Sequence, residues 1–211
     1  MPRLLLLLGL LPLLGALLAR HLCSERFLRK LRSQEMTLTG EELAQRLLEI
    51  CGINHSPKWS ERKIPTWKVS TLTFNKSLGS SKNLVLLSDV GLGVGLKLLS
   101  KKEKTLVEWH QRAVKFSNAF PIFLVLVLVF ALLVGSLLRW ALPLACFGVG
   151  LSAGAGFFAV FIELQAVAMM TRALAKRTVF RREDEREAFV QAMKARARRR
   201  CVPGVFERFF P

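Results

Sequence analysis

The chain has 211 residues, 52% of them hydrophobic, and carries 32 Lys and Arg against 15 Asp and Glu, a formal charge of +17. That apolar fraction excludes an intrinsically disordered chain, which has too few apolar side chains to fold. Gathered into long blocks, it also excludes an ordinary soluble globule and describes a small α+β integral membrane protein with a basic aqueous part.

The first block, Leu4 to Ala19, spans 16 residues and is broken by Pro12. At about 1.5 Å per residue it covers roughly 24 Å, a little short of a bilayer core of about 30 Å. Met1 to Arg3 would serve as the n-region of a signal peptide. No small-x-small cleavage site follows, since Leu17 precedes Ala19 and Leu14 precedes Ala16, and His21-Leu22-Cys23 is a poor lipobox. Residues 4–19 are therefore expected to form an uncleaved N-terminal anchor helix.

Residues 20–118 are expected to form a small mixed cytosolic domain. Thr39-Gly40-Glu41-Glu42 is a capping box, with Leu38 and Leu43 at staple positions. Ala44, Leu47, Leu48 and Cys51 then share one helical face, and Gly52 is the expected stop. From Thr66 to Phe74, Trp67 and Val69 alternate and then Leu72 and Phe74, with a phase slip that predicts a strand containing a bulge or bend. Asn83 to Leu87 reads as a second strand, ended by Ser88 and Asp89 as helix caps, before a helical stretch into the next span. Gly91-Leu92-Gly93-Val94-Gly95 lacks the Gly-Lys-Ser/Thr of a phosphate loop, and Leu96 replaces the third glycine of a dinucleotide fingerprint. It is expected to be a flexible, close-packing turn.

Two uncharged or nearly uncharged blocks follow, 119–138 and 141–170, the second carrying only Glu163. With Arg139 and Trp140 alone between them, they predict a tight transmembrane hairpin. Trp140 suits the interface and Pro143 suits a first helical turn. Gly148, Ser152 and Gly156 recur every four residues, as do Gly150 and Gly154, a spacing that lets this helix pack closely on the preceding span or on a second copy. Glu163 falls near the cytoplasmic boundary, where pairing with Arg172, Lys176 or a base of the soluble segment is expected. An ionisable group inside an apolar helix is also a functional candidate.

Lys and Arg flank the three spans on the same side: after the first, before the second and after the third. The charge bias predicts an N-out, C-in topology. Residues 20–118 hold 18 Lys and Arg against 9 Asp and Glu, and the basic tail 171–211 holds 12 against 5. In the tail, acidic residues from Glu183 precede basic ones, the order a helix dipole favours. Arg196, Arg198, Arg199 and Arg200, with Phe209 and Phe210 beyond them, suit binding to an anionic membrane surface, and no nucleic-acid module is recognisable. Cys23, Cys51, Cys146 and Cys201 have no metal-ligand or redox-motif spacing and are expected to be free thiols.

The motifs Thr39-Gly40-Glu41-Glu42-Leu43-Ala44, Leu87-Ser88-Asp89-Val90, Glu163-Leu164-Gln165-Ala166 and Arg172-Ala173-Leu174 stand in one order along residues 37–175. Their order and the paired apolar spans resemble the YugP-type neutral zinc metallopeptidases, small membrane proteins of bacteria. The resemblance implies an inner-membrane location and, in active members, a His-Glu-x-x-His helix after Leu-Ser. It also implies that Glu163 occupies the position of a zinc ligand.

The chain departs from that pattern where the chemistry would lie. Gly91 to Lys104 contains no histidine, and the chain's three are His21, His55 and His110. Glu108-Trp109-His110 has the wrong spacing for two ligands on one helical face. The expectation is an inactive descendant with no catalytic residue and no cofactor, keeping a scaffold or polypeptide-binding role. The alternatives are an active zinc peptidase with an atypical site and a structural or assembly factor for other membrane proteins. No Gly-x-Ser-x-Gly elbow supports a serine hydrolase.

Overall fold

The computed structural model describes residues 10–11, 14–18, 24–54, 56–61, 72–134 and 138–199. Its elements are α1 (Arg26–Leu31), α2 (Gly40–Ile50), β1 (Lys58–Ser60), β2 (Thr73–Asn75), α3 (Lys76–Gly79), α4 (Leu84–Lys102), α5 (Lys104–Val134), α6 (Leu138–Lys176) and α7 (Glu183–Arg199). The fold is mostly helical, with one small two-stranded parallel sheet. Two compact units are present. A core unit comprises Ser24–Glu108 and Ile162–Ala197, and a hairpin unit takes in Trp109–Phe161 together with the described residues of the N-terminal block and of the chain after Arg198. These units do not follow the linear partition into 20–118 and 171–211. The start of the tail and the end of the third apolar block belong with the soluble segment.

In the core unit, α2 begins as its capping box dictates. The Glu42 backbone N–H donates to Thr39 Oγ1 at 3.4 Å, and the Thr39 N–H donates to Glu42 Oε2 at 3.1 Å. Leu43, Ala44, Leu47 and Leu48 form the buried face, and the chain leaves the helix through Gly52 at φ +58°. Gly40 is required for a different reason: a methyl group there would collide with the Leu78 carbonyl of α3.

The sheet is parallel, with Trp59 opposite Phe74 and their rings 5.5 Å apart. Of the strand expected over Thr66 to Phe74, only its end is seen as β2, and Trp67 and Val69 lie outside the described residues. Leu72, immediately before β2, is buried at φ 42°, and the phase slip expected before it lies outside the described residues.

The second expected strand is a helix. Asn83 Oδ1 accepts from the N–H groups of Val85 and Leu86, while its amide donates to the Arg32 carbonyl, so Asn83 caps α4 and Leu84 to Leu87 form its first turn. Ser88 and Asp89 therefore lie within the helix and cap nothing. A short apolar run has no period of its own to separate strand from helix, and the cap decides. The Gly91–Gly95 stretch is likewise helix interior and not a turn. Close packing was the correct half of that expectation. A methyl group at Gly91 would lie 2.6 Å from both Met193 Sδ and Phe189 Cζ, and one at Gly95 would lie 3.0 Å from the Ala166 carbonyl oxygen.

Around α4 the core is continuous. Leu43 and Leu47 of α2, Leu87 and Val90 of α4, Val167 and Met170 of α6, and Phe189 and Met193 of α7 are all buried in one cluster. The tail helix thus closes a protein core with its apolar face.

The hairpin unit is built from α5 and α6. Within these helices, Lys104–Phe130 and Pro143–Lys176 are long and apolar enough to cross a membrane. Ser152 Oγ donates to the Ser117 carbonyl at 2.7 Å, and Gly148 faces Leu124, so the two helices pack antiparallel. Arg139 and Trp140, expected as the connection, are both helical at the start of α6, and residues 135–137 lie outside the described residues. Pro143 consequently stands beyond the first turn of α6, and Pro121 is buried inside α5. Of the first apolar block, residues 14–18 are helical, with Ala16 fully buried and Leu14 and Leu18 exposed.

Candidate functional site

The Gly91–Lys104 stretch of α4 lies beside the part of α6 that carries Glu163, with Gly95 against the Ala166 backbone. On α6, Glu163 shares a face with Ala159, Ala166, Val167 and Met170, all buried, and is itself fully buried. Protein side chains therefore enclose the carboxyl. Of its expected partners, Arg172 and Lys176 are exposed, nine and thirteen residues further along the same helix, about 13 Å and 20 Å of rise. Hydropathy placed Glu163 at the end of a span, whereas the protein's own packing encloses it.

Among the described residues, no three His, Cys, Asp or Glu side chains come together as a metal-binding group. His110 is buried in the hairpin unit, while His21 and His55 lie outside the described residues. Cys51 and Cys146 are free thiols, one in each unit, and Cys23 and Cys201 lie outside the described residues. Burial pushes the Cys51 thiol above its ordinary pKa, against a smaller opposing pull from Lys101, so it stays protonated and unreactive near neutral pH. The α4 backbone adds a steric argument. At Gly91 and Gly95 even a methyl group is tight, so an imidazole has no room at either position.

One bidentate ion pair in the core unit is a contact that sequence reasoning missed. Arg196 Nε donates to Asp89 Oδ1 at 2.7 Å and Arg196 Nη2 to Asp89 Oδ2 at 2.8 Å, a bidentate pair between α7 and α4. The Arg196 and Asp89 side chains are only 26% and 14% exposed. This corrects the assignment of Arg196 to membrane-surface binding, because its guanidinium is committed within the fold. Arg198 is exposed and Arg199 half-buried, whereas Arg200, Phe209 and Phe210 lie outside the described residues. No local signal marks the pair, since 107 residues separate its partners.

The small residues of α6 divide. Gly148, Gly150, Ser152 and Gly156 are buried, and Gly148 and Ser152 meet α5 directly. Gly154 is exposed, with nothing within 4 Å of where a methyl group would stand. At the start of α2, the Thr39 backbone N–H and hydroxyl hold the Glu42 carboxyl below the usual carboxylate range. Comparison of the chain with protein-family models, with curated proteins and with solved structures finds no match.

Proposed function

We propose that this chain is a multi-pass membrane protein on the plan of a neutral zinc metallopeptidase, without the cleavage chemistry and with a scaffold or polypeptide-binding role. The observation that carries this reading is the packing of α4. Over Gly91–Lys104, where the related peptidases bear their paired histidines, this helix presents glycines pressed against Phe189, Met193 and the Ala166 backbone. The space that imidazoles and a metal would need is filled by the core. Lipid as the surrounding partner is supported by the exposed apolar side chains of the hairpin unit, including Leu126, Phe130 and Leu133. The charge bias supports an N-out, C-in orientation in a bacterial inner membrane, with anionic head groups facing the basic segments.

The test is metal analysis and a casein-cleavage assay on detergent-solubilised protein, with melting of wild type and Glu163→Gln in the presence and absence of chelator. Substoichiometric zinc, no cleavage and melting indifferent to chelator are expected. Stoichiometric zinc with a chelator effect confined to wild type would overturn the reading. Reporter fusions at Ser56 and Pro211 should both be cytoplasmic, and a periplasmic signal from the Ser56 fusion would reverse the proposed topology.

A further inference from the structure

Pro121 stands inside α5, buried, with helix on both sides of it. A proline has no N–H, so the carbonyl four residues earlier loses its partner within the helix, and the proline ring crowds that same carbonyl. In α5 the carbonyl concerned belongs to Ser117, a residue only 4% exposed. At that depth a carbonyl left without a donor is costly.

The missing donor comes from the other helix of the hairpin. Ser152 Oγ of α6, itself fully buried, donates to the Ser117 carbonyl at 2.7 Å. A hydroxyl inside a helix commonly donates back to its own preceding turn. Ser88, Ser100 and Thr171 do so here, to the carbonyls of Val85, Lys97 and Val167 at 2.6, 2.7 and 2.8 Å. Ser152 instead reaches across to the carbonyl that Pro121 strips of its helical donor. Beyond the proline the two helices touch again, because a methyl group at Gly148 would collide with the Leu124 side chain. The α5 helix is thus fastened to α6 about one turn before Pro121 and about one turn after it.

We propose that Pro121 is a hinge in α5 and that the Ser152 hydroxyl is the catch that holds it. With one backbone hydrogen bond missing, the segments before and after Pro121 bend against each other more easily than an unbroken helix does. While Ser152 holds the Ser117 carbonyl, any bend that carries this carbonyl away from α6 breaks a buried hydrogen bond. Losing the catch therefore frees the hinge. The device lies wholly within the hairpin unit and requires no relation to a peptidase.

The experiment is a double-mutant cycle on the full chain in detergent micelles, with Ser152→Ala, Pro121→Ala and the two combined. Unfolding is followed by titration with sodium dodecyl sulfate, and local opening by amide hydrogen exchange. In the Pro121→Ala chain, the new backbone N–H satisfies the Ser117 carbonyl from within α5. Ser152→Ala should therefore shift the unfolding equilibrium about fivefold when Pro121 is present and about twofold or less when it is replaced. In the Ser152→Ala chain, exchange should quicken over residues 118–125 and stay unchanged in the rest of the hairpin, and adding Pro121→Ala should restore it. Should Ser152→Ala fail to fold, the combined variant decides: recovery of folding supports the hinge, and continued failure overturns it. Equal shifts in both backgrounds would reduce the contact to ordinary helix packing and overturn the proposal. So would exchange that rises evenly along α5 or not at all.

Discussion

The two units use the same apolar side chains in opposite ways. In the core unit, Leu43, Leu87 and Phe189 are fully buried, and glycines on α4 let neighbouring helices close to contact. In the hairpin unit, Leu126, Phe130 and Leu133 are 64%, 68% and 81% exposed, and the contacts between α5 and α6 occupy only one side of each helix. The core unit supplies its own apolar surroundings, whereas the described residues of the hairpin unit leave large apolar side chains exposed. Exposed apolar side chains on helices long and apolar enough to cross a membrane are what the proposed lipid setting would cover. Polar groups divide in the same way. The core unit contains a bidentate ion pair and a buried carboxylate, while the hairpin unit joins its helices through a hydroxyl, Ser152, to a backbone carbonyl.

Four sets of substitutions would break or sharpen this contrast. The largest effect is expected at Gly40, where a Cβ would lie 1.9 Å from the Leu78 carbonyl oxygen, a backbone atom. Gly40→Ala should cost about 3 kcal/mol or more of core-unit stability, measured by thermal melting. Gly154→Ala, on the open side of α6, should be neutral or slightly stabilising. Equal effects at the two glycines would erase the distinction between the units.

Leu126→Arg comes next. On a lipid-covered face of α5, an arginine near mid-span should oppose insertion by about 2.5–3.5 kcal/mol, read as loss of the membrane-integrated fraction after alkaline extraction. On a water-exposed face the same change would be harmless or would improve solubility, so unchanged integration would remove lipid from the account.

Asp89→Asn should cost about 1.5–3 kcal/mol, because it deletes one charge of a largely enclosed, charge-assisted pair. Pairing it with Arg196→Met in a double-mutant cycle isolates the coupling, and additive losses would show the contact to be energetically idle.

The smallest effect belongs to the α2 cap, where Thr39→Ala should lose about 1 kcal/mol. Its pH dependence is signed. Because the folded pKa of Glu42 is depressed, its stabilising contribution is present above the unfolded carboxylate value and is lost as pH falls through the folded value. Glu42→Gln should therefore flatten the acid limb of the stability profile, and an unchanged limb would count against the cap as its origin.

Much of the α2 region was legible because its determinants are adjacent in sequence. The Thr39–Glu42 box, the Ala44–Leu47–Leu48 face and the exit at Gly52 each depend on residues within a few positions of one another. The length and apolarity of α5 and α6 were legible for the same reason. The Asn83–Leu87 segment was misread because a five-residue apolar run fits either period, and its helical state depends on Asn83 capping α4 while its amide reaches the Arg32 carbonyl. The candidate site was less legible still. Glu163 stood out as the one charge in an apolar block, yet its complete burial depends on the part of α6 after Phe161 belonging to a protein core.

The sequence by itself determined the two long apolar helices, the capped α2 helix and the absence of histidine from Gly91–Lys104. Only the tertiary structure decided that the tail helix closes the core, that Arg196 serves Asp89, and that Glu163 is enclosed. The physical reason is that hydropathy records how poorly a segment is solvated by water, and an apolar helix satisfies that preference equally well in lipid or against protein. Which of the two surrounds it depends on contacts between residues far apart in the chain, such as Asp89 and Arg196, and those contacts exist only once the helices are packed.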